Sequence, residues 1–320
     1  MIDMVFRNFI NVNTTMAMGS ISEFFAGIKE ELCRGMYEAL KQNVLDLYSS
    51  MMDVMNSEIT RANNLVTQSP QEWNSTAFSF IETIAESAFI PVAGTIITCL
   101  FAMEIVSMID DRNHGHNISQ EEWILFLSKL AVCLLVCGKA FDIVMGFFEI
   151  STLVSNVVRD TATSGSGNLS LGDSLNFAEP SVYDFGCVFS MIGNLLLVGL
   201  CWLITYALSI MIFFRVVLWF LEIFMYSAPA SIPFSTFLNK EWGQTGWNYI
   251  RKILAVFFEG FLMMIAFGLY KFVVTNISGS GLISGSDFKY AMMMSVGCGA
   301  VLFILLSKVG TISSSIMNAH

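Results

Sequence analysis

Six ionisable side chains lie inside long apolar runs: Glu104, Lys129, Lys139, Asp142, Glu222 and Glu259. At the centre of a membrane helix each would cost about 2.5–3.5 kcal/mol. Such a group must therefore face a helix bundle, a water path or another chain. Three chemistries answer to that pattern: local pairing that holds helices together, a polar lumen shared between subunits, and a proton relay. Lys139 and Asp142 stand three apart on one helix and can neutralise each other. No chain of carboxylates and histidines of relay type is visible.

Other chemistries are weakly represented. His114 and His116 sit beside Asp110 and Asp111, but a solvated turn explains that cluster better than a metal site. The seven cysteines form no Cys-x-x-Cys, and six lie within apolar runs. They read as small buried hydrophobes rather than a disulfide framework. Cys133 and Cys137 share a helix face, with no carboxylate or histidine nearby to complete a metal site. Neither G-x-x-x-x-G-K-[ST], H-E-x-x-H nor G-x-S-x-G occurs. No catalytic residue, cofactor or metal is expected, and the chain does not read as an enzyme.

The elements that must position these residues are membrane helices. Of 320 residues 55% are hydrophobic and 13% charged, with a mean hydropathy of +0.65; a soluble domain carries roughly 25% charged residues. Phe185–Phe214 runs 30 residues without an Asp, Glu, Lys or Arg, where about 18 suffice to cross a bilayer. The expected fold is all-α: a polytopic membrane domain over residues 77–320 with five or six transmembrane helices, preceded by an amphipathic helical region over residues 1–76. The spans are read at Phe78–Met108, Trp123–Phe148, Ile253–Val274 and Ala291–Leu306, with Pro91 and Gly94 able to kink the first. Between them, Phe185–Phe234 carries only Arg215 and Glu222 as charges. It reads either as two spans joined by a tight turn near Tyr206–Met211, or as one long span followed by a re-entrant or interfacial helix ending at Pro229–Pro233. A polar, Gly/Ser-rich loop fills residues 150–182. The first twenty residues lack a basic-then-apolar leader, so an internal helix is expected to direct insertion.

In the N-terminal region Phe24, Phe25, Ile28, Leu32, Leu40, Val44, Leu47, Tyr48, Met51, Met55 and Ile59 recur at helical spacing. Glu23, Lys29, Glu30, Glu38, Lys41, Asp46, Asp53 and Glu58 occupy the other face. This amphipathic helix, or helix pair, lies on the membrane or against a partner. Its mixed, acidic polar face favours a protein partner, since membrane-surface helices carry Lys and Arg there. The net charge of −10 argues against a direct electrostatic grip on nucleic acid. The richest basic loop, Lys240, Arg251 and Lys252, is expected on the cytoplasmic side. With five spans that puts residues 1–76 and the 150–182 loop outside; six spans would flip one of these assignments.

One segment is distinctive. Ser227-Ala228-Pro229-Ala230-Ser231-Ile232-Pro233-Phe234-Ser235-Thr236 precedes Asn239-Lys240-Glu241-Trp242-Gly243-Gln244, then Asn248-Tyr249-Ile250-Arg251 and Phe258-Glu259-Gly260-Phe261-Leu262-Met263. This resembles the TrbL-like polytopic channel subunits of conjugative type IV secretion systems, in the branch carried by Gram-positive conjugative elements. Ser69-Pro70-Gln71-Glu72-Trp73-Asn74-Ser75, Ile90-Pro91-Val92-Ala93-Gly94 and Phe141-Asp142-Ile143-Val144-Met145 extend the resemblance over most of residues 65–320. Two departures stand out: Ala230-Ser231 separates Pro229 from Ile232, and Glu259 stands where relatives commonly carry Gln.

The resemblance implies a non-enzymatic subunit in the cytoplasmic membrane. Its partners would be the secretion ATPases, the coupling protein, other envelope subunits and copies of itself, with the DNA–relaxase substrate met only indirectly. Lys240, Trp242, Trp247, Arg251 and Lys252 form the candidate docking loop, with a Trp/Lys anchor at the bilayer surface as the equal alternative. A stand-alone transporter or channel for a small solute is the competing function. Such transporters often carry inverted repeats and paired broken helices; here one break is clear, at Pro229–Pro233, and no repeat is evident.

Overall fold

The computed structural model describes residues 2–113, 120–163, 177, 180–239, 241–279 and 288–319. Every regular element among them is helical. Helix α1 spans Ile2–Val66, followed by α2 (Pro70–Trp73) and α3 (Ser75–Ile84). A π-helical turn at Ala85–Phe89 leads into α4 (Ile90–Asn113). Next come α5 (Gln120–Gly138), α6 (Ala140–Thr163) and α7 (Phe185–Ser227). The short α8 (Ser231–Ser235) and a 3₁₀ turn (Thr236–Leu238) precede α9 (Gly243–Gly279) and α10 (Phe288–Ile316).

Local sequence explains the breaks. Ser69 and Glu72 form a capping box with Pro70 at the first helical position, and Asn74 caps α3 by accepting from the Ala77 N–H at 2.9 Å. The π turn falls just before Pro91. Proline has no N–H to offer the carbonyl four residues back, and widening the preceding turn accommodates that loss. The second apolar stretch is divided at Lys139, a turn residue between the end of α5 at Gly138 and the start of α6 at Ala140. Trp123–Phe148 is therefore not one uniform span. α5 carries Glu121, Glu122 and Lys129, and the stretch here that is long and apolar enough to cross is Ala140–Val157.

Among the described residues, five helical stretches are long and apolar enough to cross a membrane: Ser75–Asp110, Ala140–Val157, Phe185–Leu238, Gly243–Val274 and Phe288–Ile316. The protein is thus an all-α, multi-pass membrane protein. The ambiguity at Phe185–Phe234 resolves toward one long helix. α7 continues unbroken through Tyr206–Met211, and no tight turn forms there. The chain first breaks at Ala228–Ala230, where Pro229 ends the run.

The chain divides into two compact units. One comprises Met1–Met55, Ser170–Ala207 and Asn276–Gly297; the other comprises Asn56–Leu169, Leu208–Thr275 and Cys298–His320. In the first, Lys29 pairs with Asp184 at 2.7 Å and the rings of Tyr37 and Tyr183 meet at 5.6 Å. The rings of Phe177 and Phe288 meet in a tilted pair at 4.8 Å, and Cys33, Tyr37, Val44 and Tyr48 are buried. In the second, Trp73 stacks on Phe220 at 4.7 Å, and α8 packs against α4, α5 and α6. Trp219, Phe220, Ile223, Met263, Met264 and Phe267 supply much of that core.

Candidate functional site

The charges of α7 and α9 are arranged in the same order along the chain. α7 carries Arg215 and, seven residues on, Glu222; α9 carries Lys252 and, seven residues on, Glu259. A seven-residue step is close to two helical turns, so each pair shares a face. The two helices run antiparallel along this contact. Arg215 meets Glu259, the Trp219 indole N–H donates to the Val256 carbonyl at 2.9 Å, and the Tyr249 hydroxyl donates to the Tyr226 carbonyl at 2.5 Å.

The Arg215 guanidinium donates from Nη2 to Oε1 of Glu259. Their side chains are 17% and 3% exposed, so this is a buried ion pair inside apolar helices. Gly310 of α10 faces it. A Cβ there would lie 3.3 Å from both carboxylate oxygens and 3.4 Å from Nη2, so the missing side chain lets α10 close over the charges. Beside it, the Ser313 hydroxyl donates to the Ala255 carbonyl. Gly260 makes room in the same way: a Cβ would come within 2.6 Å of the Trp219 ring.

Glu222 and Lys252 both lie within electrostatic reach of Glu259. They do not form the second rung that the charge order invites. Lys252 Nζ instead donates to Ser314 Oγ at 3.4 Å and sits 5.9 Å over the Tyr226 ring, while Glu222 stays half-buried.

A second polar contact ties the break between α7 and α9 to α4. Asn239 Nδ2 donates to Glu104 Oε2 at 2.9 Å, and its Oδ1 accepts from the backbone N–H groups of Glu241 and Trp242 at 2.8 and 3.4 Å. One side chain thus shapes the turn and anchors it. The Thr236 hydroxyl donates to the Pro233 carbonyl at 2.7 Å and accepts from Gly246 N–H at 3.1 Å. Gly246 is obligatory there, because a Cβ would lie 2.7 Å from the Phe237 ring and 2.9 Å from the Pro233 carbonyl. Cys133 Sγ lies 3.7 and 3.6 Å from the Phe234 and Ser235 carbonyls.

The remaining sequence-predicted charges are not drawn into one site. Lys139, between α5 and α6, pairs at 2.9 Å with Asp142 in the first turn of α6, with side chains 72% and 55% exposed. Lys129 is half-buried on α5, within electrostatic reach of the Cys133 thiol, and has no ion-pair partner among the described residues. Among the described residues, no group of three or more His, Cys, Asp or Glu side chains is arranged to hold a metal. His114 and His116 lie outside the described residues, as does Lys240. Of the candidate docking loop, Trp242, Trp247 and Arg251 are exposed. Lys252 is not part of that surface, since its long stem carries the ammonium inward to Ser314 and Tyr226.

Sequence reasoning missed Arg215, Asn239, Gly260 and Gly310 as site residues. For Arg215 a signal existed: it and Glu259 are opposite charges in otherwise charge-poor helices.

The site pairs its buried charge and amide groups internally. Its buried groups satisfy one another through Arg215–Glu259 and Asn239–Glu104, a pattern suited to fixing helices against each other in lipid. No curated protein and no solved structure gives a significant match. Residues 55–231, which contain Glu104, Arg215 and the full run of α7 up to the break, match the family described as TrbL/VirB6 plasmid conjugal transfer like protein. With more than half of the chain so matched, this multi-pass membrane protein belongs to the TrbL/VirB6 conjugal transfer-like family and is a component of a conjugal transfer apparatus.

Proposed function

We propose that the chain is a channel or scaffold subunit of a conjugative type IV secretion system. In this reading it sits in the cytoplasmic membrane and contributes to moving a DNA–relaxase substrate across it, with no enzymatic step of its own. The observation that carries the reading is the family match over residues 55–231. The internal pairing of Arg215 with Glu259 supports it, because a subunit that frames a conduit needs rigid, self-satisfied helices. The partners are the secretion ATPases, the coupling protein, other envelope subunits and further copies of this chain. Contact with the transferred DNA is indirect, in keeping with a net charge of −10.

With five spans, the positive-inside rule puts the turn between α7 and α9 in the cytoplasm. Trp242, Trp247 and Arg251 then form the exposed surface on which a cytoplasmic partner docks. The experiment is a clean deletion in the donor cell, complemented in trans. Mating frequency should collapse while growth is unchanged; undiminished transfer from the deletion strain would overturn the proposal.

A further inference from the structure

From Gln42 to Asn64 every exposed residue of α1 is polar, among them Asp46, Asp53, Ser57, Thr60, Arg61 and Asn64. Their steps of three, four and seven place them on one stripe of the helix. The opposite face is closed, with Ile59 and Val66 1% and Ala62 0% exposed. A groove of about 560 Å³ follows the stripe, and Ser57, Thr60, Arg61, Asn64 and Gln68 help to line it.

The packing of α7 on α9 sets the depth of this stripe. At the start of α9, exposed Trp242, Trp247 and Arg251 mark one membrane surface. From Ile253 onward α9 enters the hydrocarbon. α7 runs antiparallel beside it, with Trp219 bonded to Val256 and Arg215 paired with Glu259. Phe213 is two residues farther in and so lies level with Phe261, about 12 Å inside Ile253. A hydrocarbon core is about 30 Å thick, which puts Phe213 near its middle. The Arg61 guanidinium sits 5.9 Å over the Phe213 ring and pairs with Glu58 at 3.1 Å, with its side chain 64% exposed. Trp73 stacks on Phe220 at 4.7 Å and holds the chain after α1 against the same helix, nearer the surface.

At this level the two helices present opposite chemistries. The exposed side chains of α7 are apolar, as Met211, Phe214, Leu218 and Leu221 show, and they suit lipid. An exposed guanidinium flanked by hydroxyls and an amide does not; inside a membrane such groups face a bundle interior or a water-filled cavity. The bundle side of α1 is already occupied by Ile59, Ala62 and Val66. We propose that the α1 face from Asp53 to Asn64 lines a water-filled path through the membrane. This rests on the channel reading and names the face that borders the conduit. The exposed charges of the stripe are Asp46, Asp53 and Arg61, and none of its exposed residues is aromatic. A firm hold on a polynucleotide needs clustered cations and stacking rings. A hydrated cargo passes such a lining without being gripped, as conduction requires.

The test places single cysteines in the full chain, in donor cells that carry the whole transfer apparatus. Thr60→Cys and Asn64→Cys probe the stripe; Phe214→Cys and Leu218→Cys probe the lipid face at the same level. A charged, membrane-impermeant methanethiosulfonate reacts with a hydrated thiolate. It should modify the stripe cysteines at least about tenfold faster than the lipid-face pair, above the background of the unsubstituted protein. In bilayers of the purified protein, a bimane on Phe214→Cys should be quenched most strongly by a doxyl group at the middle of the acyl chain. Equal modification at all four positions, or strongest quenching by a headgroup doxyl, would overturn the proposal. Mating frequency tests the underlying reading separately, and modification at Thr60→Cys should lower it. Fast modification with undiminished mating would keep the wet face and overturn the channel reading instead.

Discussion

Arg215 of α7 donates to Glu259 of α9 under a glycine of α10, Gly310, so three membrane helices meet at one neutralised pair of charges. The pair's net worth is small compared with the cost of breaking it. Two charges taken from water into a low-dielectric interior repay little more than their own desolvation. Removing one partner leaves the other buried and uncompensated, at about 3–5 kcal/mol.

The first prediction follows. Arg215→Met and Glu259→Leu, each alone, should lower the melting temperature in detergent sharply. The two together should recover most of the loss, as should the exchange Arg215→Glu with Glu259→Arg. Glu259→Gln should fall between wild type and Leu, because the amide still accepts a hydrogen bond. Mating frequency should follow the same order as stability. Additive losses in the double variants would show that the two side chains act independently.

The pair also shows what could be read in advance. The order of signs, plus then minus on α7 and minus following plus on α9, is visible in the chain, as is the isolation of each charge among apolar residues. The antiparallel register that joins Arg215 to Glu259 is not, because periodicity places a residue on a face without saying which face lies opposite. Glu104 and Asn239 are 135 positions apart, and only the tertiary fold brings them together. Length alone left two readings open at Tyr206–Met211. A 50-residue apolar stretch suggests two crossings, yet it contains no breaker before Pro229, and the helix simply continues. On α1 the apolar spacing is regular throughout, but whether a segment is covered depends on residues elsewhere. Tyr48 is buried and Phe24 exposed on one helix for that reason.

Gly260 provides a packing test. A methyl group there would meet the Trp219 ring at 2.6 Å, and that indole is held by its bond to the Val256 carbonyl. Gly260→Ala should therefore destabilise by about 1–3 kcal/mol, the usual cost of overpacking. Adding Trp219→Phe should relieve part of it by shrinking the ring. Thermal melts of the single and double variants, with Trp219 emission as a local probe, would show this; an unaffected Gly260→Ala protein would show that the ring moves freely.

Asn239→Ala removes three hydrogen bonds at once and leaves the half-buried Glu104 carboxylate without the amide that donates to it. The expected cost is about 1–3 kcal/mol for the stranded group. The turn should also loosen, so limited proteolysis near Trp242 should quicken while the rest of the chain keeps its cleavage pattern. Glu104→Gln preserves an acceptor for Asn239 and should behave nearly as wild type. Identical cleavage rates in Asn239→Ala would mean that Thr236 and Gly246 hold the turn unaided.

The unbroken α7 sets the topology. Among the described residues, three span-capable stretches follow α6, which takes in residues 150–163 of the expected loop: Phe185–Leu238, Gly243–Val274 and Phe288–Ile316. Reporters fused at Gly165 and at His320 should therefore report opposite sides of the membrane, with the one at His320 cytoplasmic. The same side for both would mean an even number of crossings and would restore the two-span reading of Phe185–Phe234.

Tyr48 offers a prediction about pH. Its ring is buried on α1, its hydroxyl has no hydrogen-bond partner among the described residues, and burial pushes the phenol up to about 12 from its ordinary 10.0. Above pH 10 the unfolded chain gives up this proton more readily than the folded one, so Tyr48 lowers stability as pH rises toward 12. Tyr48→Phe also removes a buried, unsatisfied hydroxyl, which is destabilising wherever it occurs. The variant should accordingly melt at or above the wild-type temperature at pH 7, and its margin should widen between pH 10 and 12. Absorbance titration of the two proteins should differ by one phenol whose ionisation is delayed past that of exposed tyrosines. A lower melting temperature for Tyr48→Phe at neutral pH would instead show that the hydroxyl is engaged.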